Sequence, residues 1–405
     1  MNMIRLAFCA ILAANVAFSG EVHNQKEPAG KAMTLRFTED LRFGGEEDND
    51  TNMWANPATL ISVNKQGHMF ITDPDDSRVI EYDKNGAYIR TIATEGKGPN
   101  QFEFLFNYTI LADGSAVGTN SRGGTTAKFY DANHVYTGTK ILNAAGRSVI
   151  YAIPSPLGNG YAVLFTQTSG DNPVTKLRTG VIDANLAPIH QFSDVYQMTF
   201  NPARMEDRAY MGEYLTDQLK AFFGTMGVFN YDGEGRLYSG VSTRYSITRW
   251  ATDGTTKELV INRKHQPIVN DTAHRIALIQ SLVEEYREVP VLAKVFTDTV
   301  VQRAVDRAKL APVKNPIFGL IPMEKGKLMV VHDIDMATGN NRGDLYDAKG
   351  AYLGHVTLPD HAMVVHFSGL FYPRMVFRNG FAYTVATNAD GDNQAVRYRY
   401  ELVPR

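Results

Sequence analysis

Six times along this chain a short β segment ends in a glycine-containing turn and another β segment follows at once. The turns are Asn64-Lys65-Gln66-Gly67, Leu111-Ala112-Asp113-Gly114, Leu157-Gly158-Asn159-Gly160, Asp232-Gly233-Glu234-Gly235, Met323-Glu324-Lys325-Gly326 and Phe377-Arg378-Asn379-Gly380. Six such hairpins are what six blades of a radial all-β fold supply. A second set of turns lies roughly twenty residues after most of them, with one motif reused. Tyr82-Asp83-Lys84-Asn85-Gly86-Ala87-Tyr88 recurs as Tyr346-Asp347-Ala348-Lys349-Gly350-Ala351-Tyr352, with weaker copies at Tyr130-Asp131-Ala132-Asn133, Ile182-Asp183-Ala184-Asn185 and Trp250-Ala251-Thr252-Asp253-Gly254. Each unit therefore reads as four strands, its outer hairpin marked by an aspartate and by a glycine or asparagine that tolerates positive φ.

The hairpin glycines are spaced by about 47 and 46 residues from Gly67 to Gly160, then by about 75 and 91 to Gly235 and Gly326, against ~40–50 for known propeller repeats. The excess predicts helical insertions between blades 3 and 4 (residues 202–223) and between blades 4 and 5 (residues 270–311). The first carries Ala209, Leu215, Leu219 and Phe222 at helical spacing. The second opens on Asn270-Asp271-Thr272, good helix-capping chemistry, runs Ile276, Ile279, Leu282, Val283 and Tyr286 along one face, stops at Pro290, and is followed by a second amphipathic stretch from Val291 to Leu310. The last unit ends one strand short at Gln394–Leu402, while Thr34–Asp40 is an unattached strand near the start. Pairing the two completes a ring and removes its open edges. The expected fold is an all-β, six-bladed β-propeller over residues 33–405 with 3+1 closure by the N-terminal strand.

Residues 1–19 read as a signal peptide. Positive charge precedes the apolar stretch Leu6–Phe18, and Ala17-Phe18-Ser19 sets small residues where a signal peptidase reads, which places the cut before Gly20. About 13 apolar residues fall short of the ~20 that span a bilayer, so the mature chain is expected to have no transmembrane segment and to be periplasmic or secreted. Residues 20–32 read as a linker. The single cysteine, Cys9, sits early in the apolar run behind Phe8, unlike a lipidation site. A mature chain cut before Gly20 has no thiol, which excludes disulfides, zinc-thiolate sites and cysteine nucleophiles together. With 41 basic against 43 acidic residues the chain lacks the basic field that holds nucleic acid.

The stretch Asn64–Phe104, especially Gly67-His68-Met69-Phe70-Ile71-Thr72-Asp73, Arg78-Val79-Ile80-Glu81-Tyr82-Asp83 and Gly96-Lys97-Gly98-Pro99-Asn100-Gln101-Phe102, resembles NHL-type repeats. It looks most like the six-bladed propellers that bacteria secrete. The resemblance extends fairly to Asn315–Leu358, poorly to the third and fourth units, and implies the fold rather than a function.

Aligned on the hairpin glycines, the residue six positions on is Asp73, Asn120, Thr166, Val241, His332 or Ala386. Short polar side chains here commonly hold the following loop. The functional alternative is a ligand-facing column in which His332 and Asp333 form a pair. A second set enters the innermost strands: Asn56, Asn107, Tyr108, Tyr151, Met226, Phe318, His366 and Tyr372. It reads either as packing between blades or as an aromatic and amide surface for a sugar or peptide. From the two sets, the candidate ligand-binding residues are Asp73, Asn107, Asn120, Tyr151, Phe318, His332, Asp333 and His366. The turn Asp390-Gly391-Asp392-Asn393 and the acidic run Glu46-Glu47-Asp48-Asn49-Asp50 read as polar loops rather than calcium sites.

G-x-S-x-G, H-E-x-x-H, P-loop and G-x-G-x-x-G signatures are missing. The leading expectation is an exported, non-catalytic binding or scaffold propeller for a protein, peptide or carbohydrate, with no cofactor. The alternative is a metal-dependent lyase or hydrolase like the lactonase and amidating-lyase propellers. It would hold calcium or zinc on the axis, with Asp73, Asn120, His332 and Asp333 as ligands or acid and base. Three or more carboxylates and histidines converging at the axis would favour that alternative.

Overall fold

The computed structural model describes residues 20–45, 53–54, 59–74, 76–120, 125–143, 147–168, 174–199, 204–269, 279–280, 283–284, 287, 290–334, 341–359, 363–365, 371–388 and 390–405. The expected signal peptide and the acidic run lie outside them. Two strands, β1 (Gly20–Asn24) and β2 (Met33–Phe43), precede the repeats. Blade 1 follows with β3 (Leu60–Val63), β4 (Met69–Asp73), β5 (Arg78–Tyr82) and β6 (Tyr88–Glu95), edged by β7 (Gln101–Phe102). Blade 2 is β8 (Leu105–Ile110), β9 (Ala116–Asn120), β10 (Thr126–Tyr130) and β11 (Tyr136–Ile141). Blade 3 is β12 (Arg147–Pro154), β13 (Gly160–Thr168), β14 (Val174–Asp183) and β15 (Pro188–Thr199). After helix α1 (Arg208–Phe223) comes blade 4, β16 (Gly227–Tyr231), β17 (Leu237–Val241), β18 (Ser246–Trp250) and β19 (Lys257–Arg263). Helices α2 (Pro290–Ala293) and α3 (Asp298–Ala308) lead into blade 5, β20 (Gly319–Pro322), β21 (Leu328–Ile334), β22 (Asn341–Tyr346) and β23 (Tyr352–Leu358). A two-stranded pair, β24 (Met363–Val365) and β25 (Phe371–Pro373), precedes blade 6, whose strands are β26 (Val376–Arg378), β27 (Phe381–Thr387) and β28 (Asn393–Pro404). The molecule is a six-bladed β-propeller.

The fourth strand of blade 6 is β2, antiparallel to β28 with Thr34 opposite Val403 and Phe43 opposite Ala395. Gly20–Asn24, read in the sequence as part of a linker, instead lies parallel to β19 as a fifth strand of blade 4, Gly20 opposite Leu259. Its side chains alternate too little to announce a strand, and its partner lies far along the chain.

The recurring turn motif has one physical basis. Asp83 Oδ1 accepts the backbone N–H groups of Asn85 and Ala87, both at 2.8 Å. Asp131, Asp183, Asp232 and Asp347 bind the N–H groups two and four residues on in the same way, at 2.8–3.0 Å. The residue three places on then turns left-handed, as Gly86 and Gly350 do at φ 84° and 80°, and His134 does at φ 60°.

Strand alternation sends successive side chains to opposite seams. From β21, Met329 and Val331 pack on blade 6 with Ala382 and Val396. Leu328 and Val330 pack on blade 4 with Ile247 and Leu259. Each seam has such a core, and each fully buried aliphatic side chain contributes about 1.5–3 kcal/mol. The two helical insertions share a core of their own, Met211, Leu215 and Leu219 of α1 against Ile279, Val283, Phe296 and Ala304. Helix α1 starts where Asp207 Oδ1 accepts the N–H groups of Ala209 and Tyr210 at 3.0 and 3.1 Å. Asn315 Nδ2 donates to Gly224 O at 2.8 Å, joining the bases of the two insertions.

Closure needs backbone space. A Cβ on Gly354, at φ 148°, would stand 2.2 Å from Met33 O at the start of β2. Gly354→Ala is expected to cost about 1–3 kcal/mol, read as a lowered thermal midpoint. Gly138→Ala is the control, since a Cβ there meets nothing within 4 Å, and should leave the midpoint unchanged.

His134 generates a pH prediction. Its ring centre lies 4.6 Å from that of Phe70 in blade 1, and its Nδ1 is 2.8 Å from the Tyr108 hydroxyl. Burial lowers its pKa below the usual value, outweighing Glu81 and Asp131, which favour the imidazolium, while Arg90 and His68 add to the lowering. Between this lowered pKa and the ~6.5 of an unfolded histidine, the unfolded chain binds the extra proton. Stability therefore rises with pH in that window and is lost as pH falls through it. His134→Asn keeps a residue that tolerates the left-handed turn and removes the titration. Its urea-unfolding free energy should change less steeply between about pH 5 and 7 than the parent's.

Candidate functional site

Antiparallel alternation places the connections between blades, the two helical insertions and the loops between second and third strands on one face. The hairpins between first and second strands lie on the other. The column of Asp73, Asn120, His332 and Asp333 falls at the first face. Asp73 is buried and its Oδ2 accepts Arg78 Nε at 3.0 Å. Asn120 is buried opposite Leu105 and Thr126. His332 and Asp333 part company, because a bulge between Val331 and Asp333 turns them to different partners. Asp333 binds Lys314 Nζ at 2.6 Å and Arg342 Nε at 2.8 Å, while His332 faces blade 4. The expectation that these two act as one pair is corrected by that bulge. His366 and Asn56 lie outside the described residues. The Asp390–Asn393 turn repeats the aspartate-turn geometry, with Asn388 Oδ1 accepting the N–H groups of Asp390 and Asp392 at 2.9 and 2.8 Å.

The axis holds a cavity of about 220 Å³ that reaches the hairpin face. Ser62, Thr109, Tyr151, Asn230, Ile321 and Met375 line it from the six innermost strands and their flanks, with Asp232 and Arg378 at the hairpin end. Of the candidates, Asn107 and Tyr151 line this space. Both also hold neighbouring blades together. Asn107 Nδ2 donates to Ala152 O at 3.3 Å and its Oδ1 accepts from Thr119 at 3.0 Å, while the Tyr151 ring meets that of Phe106 edge-on with centres 4.7 Å apart. Phe318 packs against the core between blades 5 and 6.

Among the described residues, a close set of titratable groups lies away from the axis, in the seam between blades 4 and 5. Asp344, on the third strand of blade 5, is wholly buried. Its Oδ2 accepts hydrogen bonds from the Tyr245 hydroxyl and Arg263 Nη1, both of blade 4. Its Oδ1 faces His355 Nδ1 at 2.7 Å and His332 Nε2 at 3.5 Å, two imidazoles of blade 5. Among the described residues, these three side chains form the one histidine and carboxylate group whose ligand atoms all lie within 4.8 Å of one another. Burial alone would raise the Asp344 pKa, but His355, His332, Arg263 and Tyr245 together hold it below the usual carboxylate value. Burial, with repulsion from His332, depresses neighbouring His265 to about 4. The Arg263 guanidinium lies 3.9 Å over the Tyr352 ring and donates through Nη2 to Lys26 O at 2.8 Å, so the segment after β1 helps hold it.

Sequence reasoning named His332 and missed Asp344, His355, Tyr245 and Arg263. A signal was present. Three residues before the second turn the repeats carry Ile80, Lys128, Gly180, Thr248 and Asp344, so a carboxylate replaces the aliphatic residue of blade 1. Three residues after the turn tyrosine, blades 1 and 2 have Thr91 and Thr139, whose hydroxyls lie 3.3 and 2.8 Å from that tyrosine's own, where blade 5 has His355.

Two solved structures share the fold along nearly the whole chain. One is a Bacteroides fragilis protein described as exported, 10% identical, TM-score 0.51, covering 95% of this chain and 99% of its own. The other is a member of the DUF4221 family from Bacteroides vulgatus, 9% identical, TM-score 0.51, covering 92% and 99%. At these identities the likeness shows the propeller fold alone. No family model matches the chain, and no curated protein matches it. No helix of the described residues is long and apolar enough to cross a membrane.

A buried ion pair is destabilising to break by halves, because the remaining charge has no partner. Arg263→Met is expected to cost about 3–5 kcal/mol in urea unfolding, and Arg263→Met/Asp344→Leu to recover most of that loss.

Proposed function

We propose that this chain is an exported, non-catalytic binding propeller, kin to NHL-type repeat proteins, that takes the tip of a peptide or carbohydrate into its axial funnel from the hairpin face. The character of the funnel carries this reading. Its lining is hydroxyl, amide, aliphatic and aromatic, with Asp232 and Arg378 at the mouth, and Asp232 is tied to Arg236 Nε at 2.8 Å. A cavity of about 220 Å³ is below the ~300–1,000 Å³ that encloses a whole small ligand, so it suits one side chain or one sugar ring of a larger partner. The two carboxylate candidates at the opposite face are engaged in ion pairs, Asp73 with Arg78 and Asp333 with Lys314 and Arg342.

Export through a cleaved leader, with the mature chain beginning at Gly20 in the periplasm or outside the cell, is part of the same reading. N-terminal sequencing of protein from the periplasmic and extracellular fractions should return Gly20 as the first residue.

The binding claim is tested by calorimetric titration of the mature chain against a panel of peptides and oligosaccharides. Thr109→Trp fills the funnel from β8 without emptying the core. Any ligand that binds the parent should bind this variant at least about tenfold more weakly, a loss of about 1.4 kcal/mol, with the thermal midpoint unchanged. Equal binding would place the site elsewhere. Mass spectrometry should recover the ligand chemically intact, and a changed mass would overturn the non-catalytic part of the reading.

A further inference from the structure

We propose that His332, Asp344 and His355 bind a divalent transition-metal ion of the zinc class in the seam between blades 4 and 5. This is a centre separate from the axial funnel and independent of what the funnel binds.

The three groups come from consecutive strands of one blade. Asp344 and His355 are direct cross-strand partners on β22 and β23, and the bulge in β21 brings His332 to the same face. Zinc bonds of ~2.0–2.2 Å in a tetrahedral shell set ligand atoms about 3.4 Å apart. His332 Nε2 and Asp344 Oδ1 stand at 3.5 Å. His355 Nδ1, at 2.7 Å from that oxygen, would have to swing outward, toward the solvent that its 41% exposed side chain already meets.

Two independent observations mark the group as a ligand shell rather than a finished hydrogen-bond network. The His332 side chain is 7% exposed, yet neither ring nitrogen has a hydrogen-bond partner, an arrangement that a folded chain avoids unless something else satisfies the group. Asp344 divides its oxygens by role. Oδ2 takes the two donors from blade 4, Tyr245 and Arg263, and Oδ1 is turned to the two imidazoles of its own blade, His355 Nδ1 at 2.7 Å and His332 Nε2 at 3.5 Å. Anchoring one carboxylate oxygen by hydrogen bonds while turning the other to the ligand position is how proteins orient metal-binding carboxylates.

Two imidazole nitrogens and one carboxylate oxygen favour zinc and its neighbours over calcium or magnesium, which take mostly oxygen. Three protein ligands leave one position open, on the side of His355 where solvent enters. The guanidinium of Arg263 near a dication leaves that position with a positive balance, so hydroxide or a carboxylate suits it. Binding would tie together three strands of blade 5 and, through Oδ2, the edge of blade 4.

The experiment uses the full mature chain without a polyhistidine tag, stripped with chelator and titrated with zinc chloride by calorimetry. Cobalt(II) provides a second readout through its visible absorption. The expected result is one ion per chain and a raised thermal midpoint, with no competition from millimolar-range calcium. His355→Ala removes an exposed side chain and should keep the fold while weakening zinc by at least about tenfold. His332→Ala should do the same. Tyr245→Phe, which loosens the carboxylate without removing a ligand, should weaken zinc by ~10–100-fold. The proposal is overturned if the parent chain shows no saturable zinc site, or if His355→Ala binds zinc with the parent's stoichiometry and affinity. Should His332→Ala fail to fold, His355→Ala and the cobalt spectrum decide the matter.

Discussion

The pairing of β2 with β28 is the contact on which the rest of the ring depends. Without it the last blade would show a strand of unpaired N–H and C=O groups to water and to other chains. The pairing also delivers side chains. Phe43, at the end of β2, places its ring 5.8 Å from Trp54 and 4.9 Å from Tyr82, so the closing strand helps fill the seam between the last blade and the first. Gly86 keeps its turn free for that ring, since a Cβ there would stand 2.8 Å from it. Asp40, on the same strand, accepts hydrogen bonds from both Arg397 and Arg399 of β28 at 2.6 and 2.8 Å, which holds the register.

Much of this was legible because the devices that make a blade are local. An aspartate that binds the N–H groups two and four residues on leaves its mark within seven residues, and a hairpin glycine within four. Counting such turns is enough to count blades. The missing strand of the last unit could be seen as an unpaired β segment near the start. Apolar spacing likewise pointed to the helix Arg208–Phe223 and to Asp298–Ala308, whereas the capping run Asn270-Asp271-Thr272 lies outside the described residues, and the core the two insertions share could not be read from either alone.

What stayed hidden was decided across distance. The parallel seat of β1 on β19 has no turn to announce it, because its partner lies some 240 residues away. Neighbours in sequence misled at His332 and Asp333, where one bulge sends the imidazole to blade 4 and the carboxylate to Lys314 and Arg342. The cavity on the axis is lined by residues of the hairpins, away from the column of Asp73 and Asn120. No single repeat records that.

The third-strand column shows how to tell a structural charge from a functional one in a repeat fold. Two of its members are charged and buried, and each has to be matched by groups outside its own strand. Lys128 Nζ donates to three carbonyls, Gly98 O and Pro99 O at 2.9 Å and Gln101 O at 2.5 Å, which uses all three of its protons. That charge is complete within the protein and fastens the loop after β6. Asp344 is matched from blade 4 on one oxygen and meets only imidazoles on the other, and the ring nitrogens of one of these, His332, have no hydrogen-bond partner. A charge placed at this column thus ends in a closed fastening to backbone carbonyls in blade 2 and in a cluster of imidazoles with unpartnered nitrogens in blade 5, and only the second has chemistry left to offer a ligand.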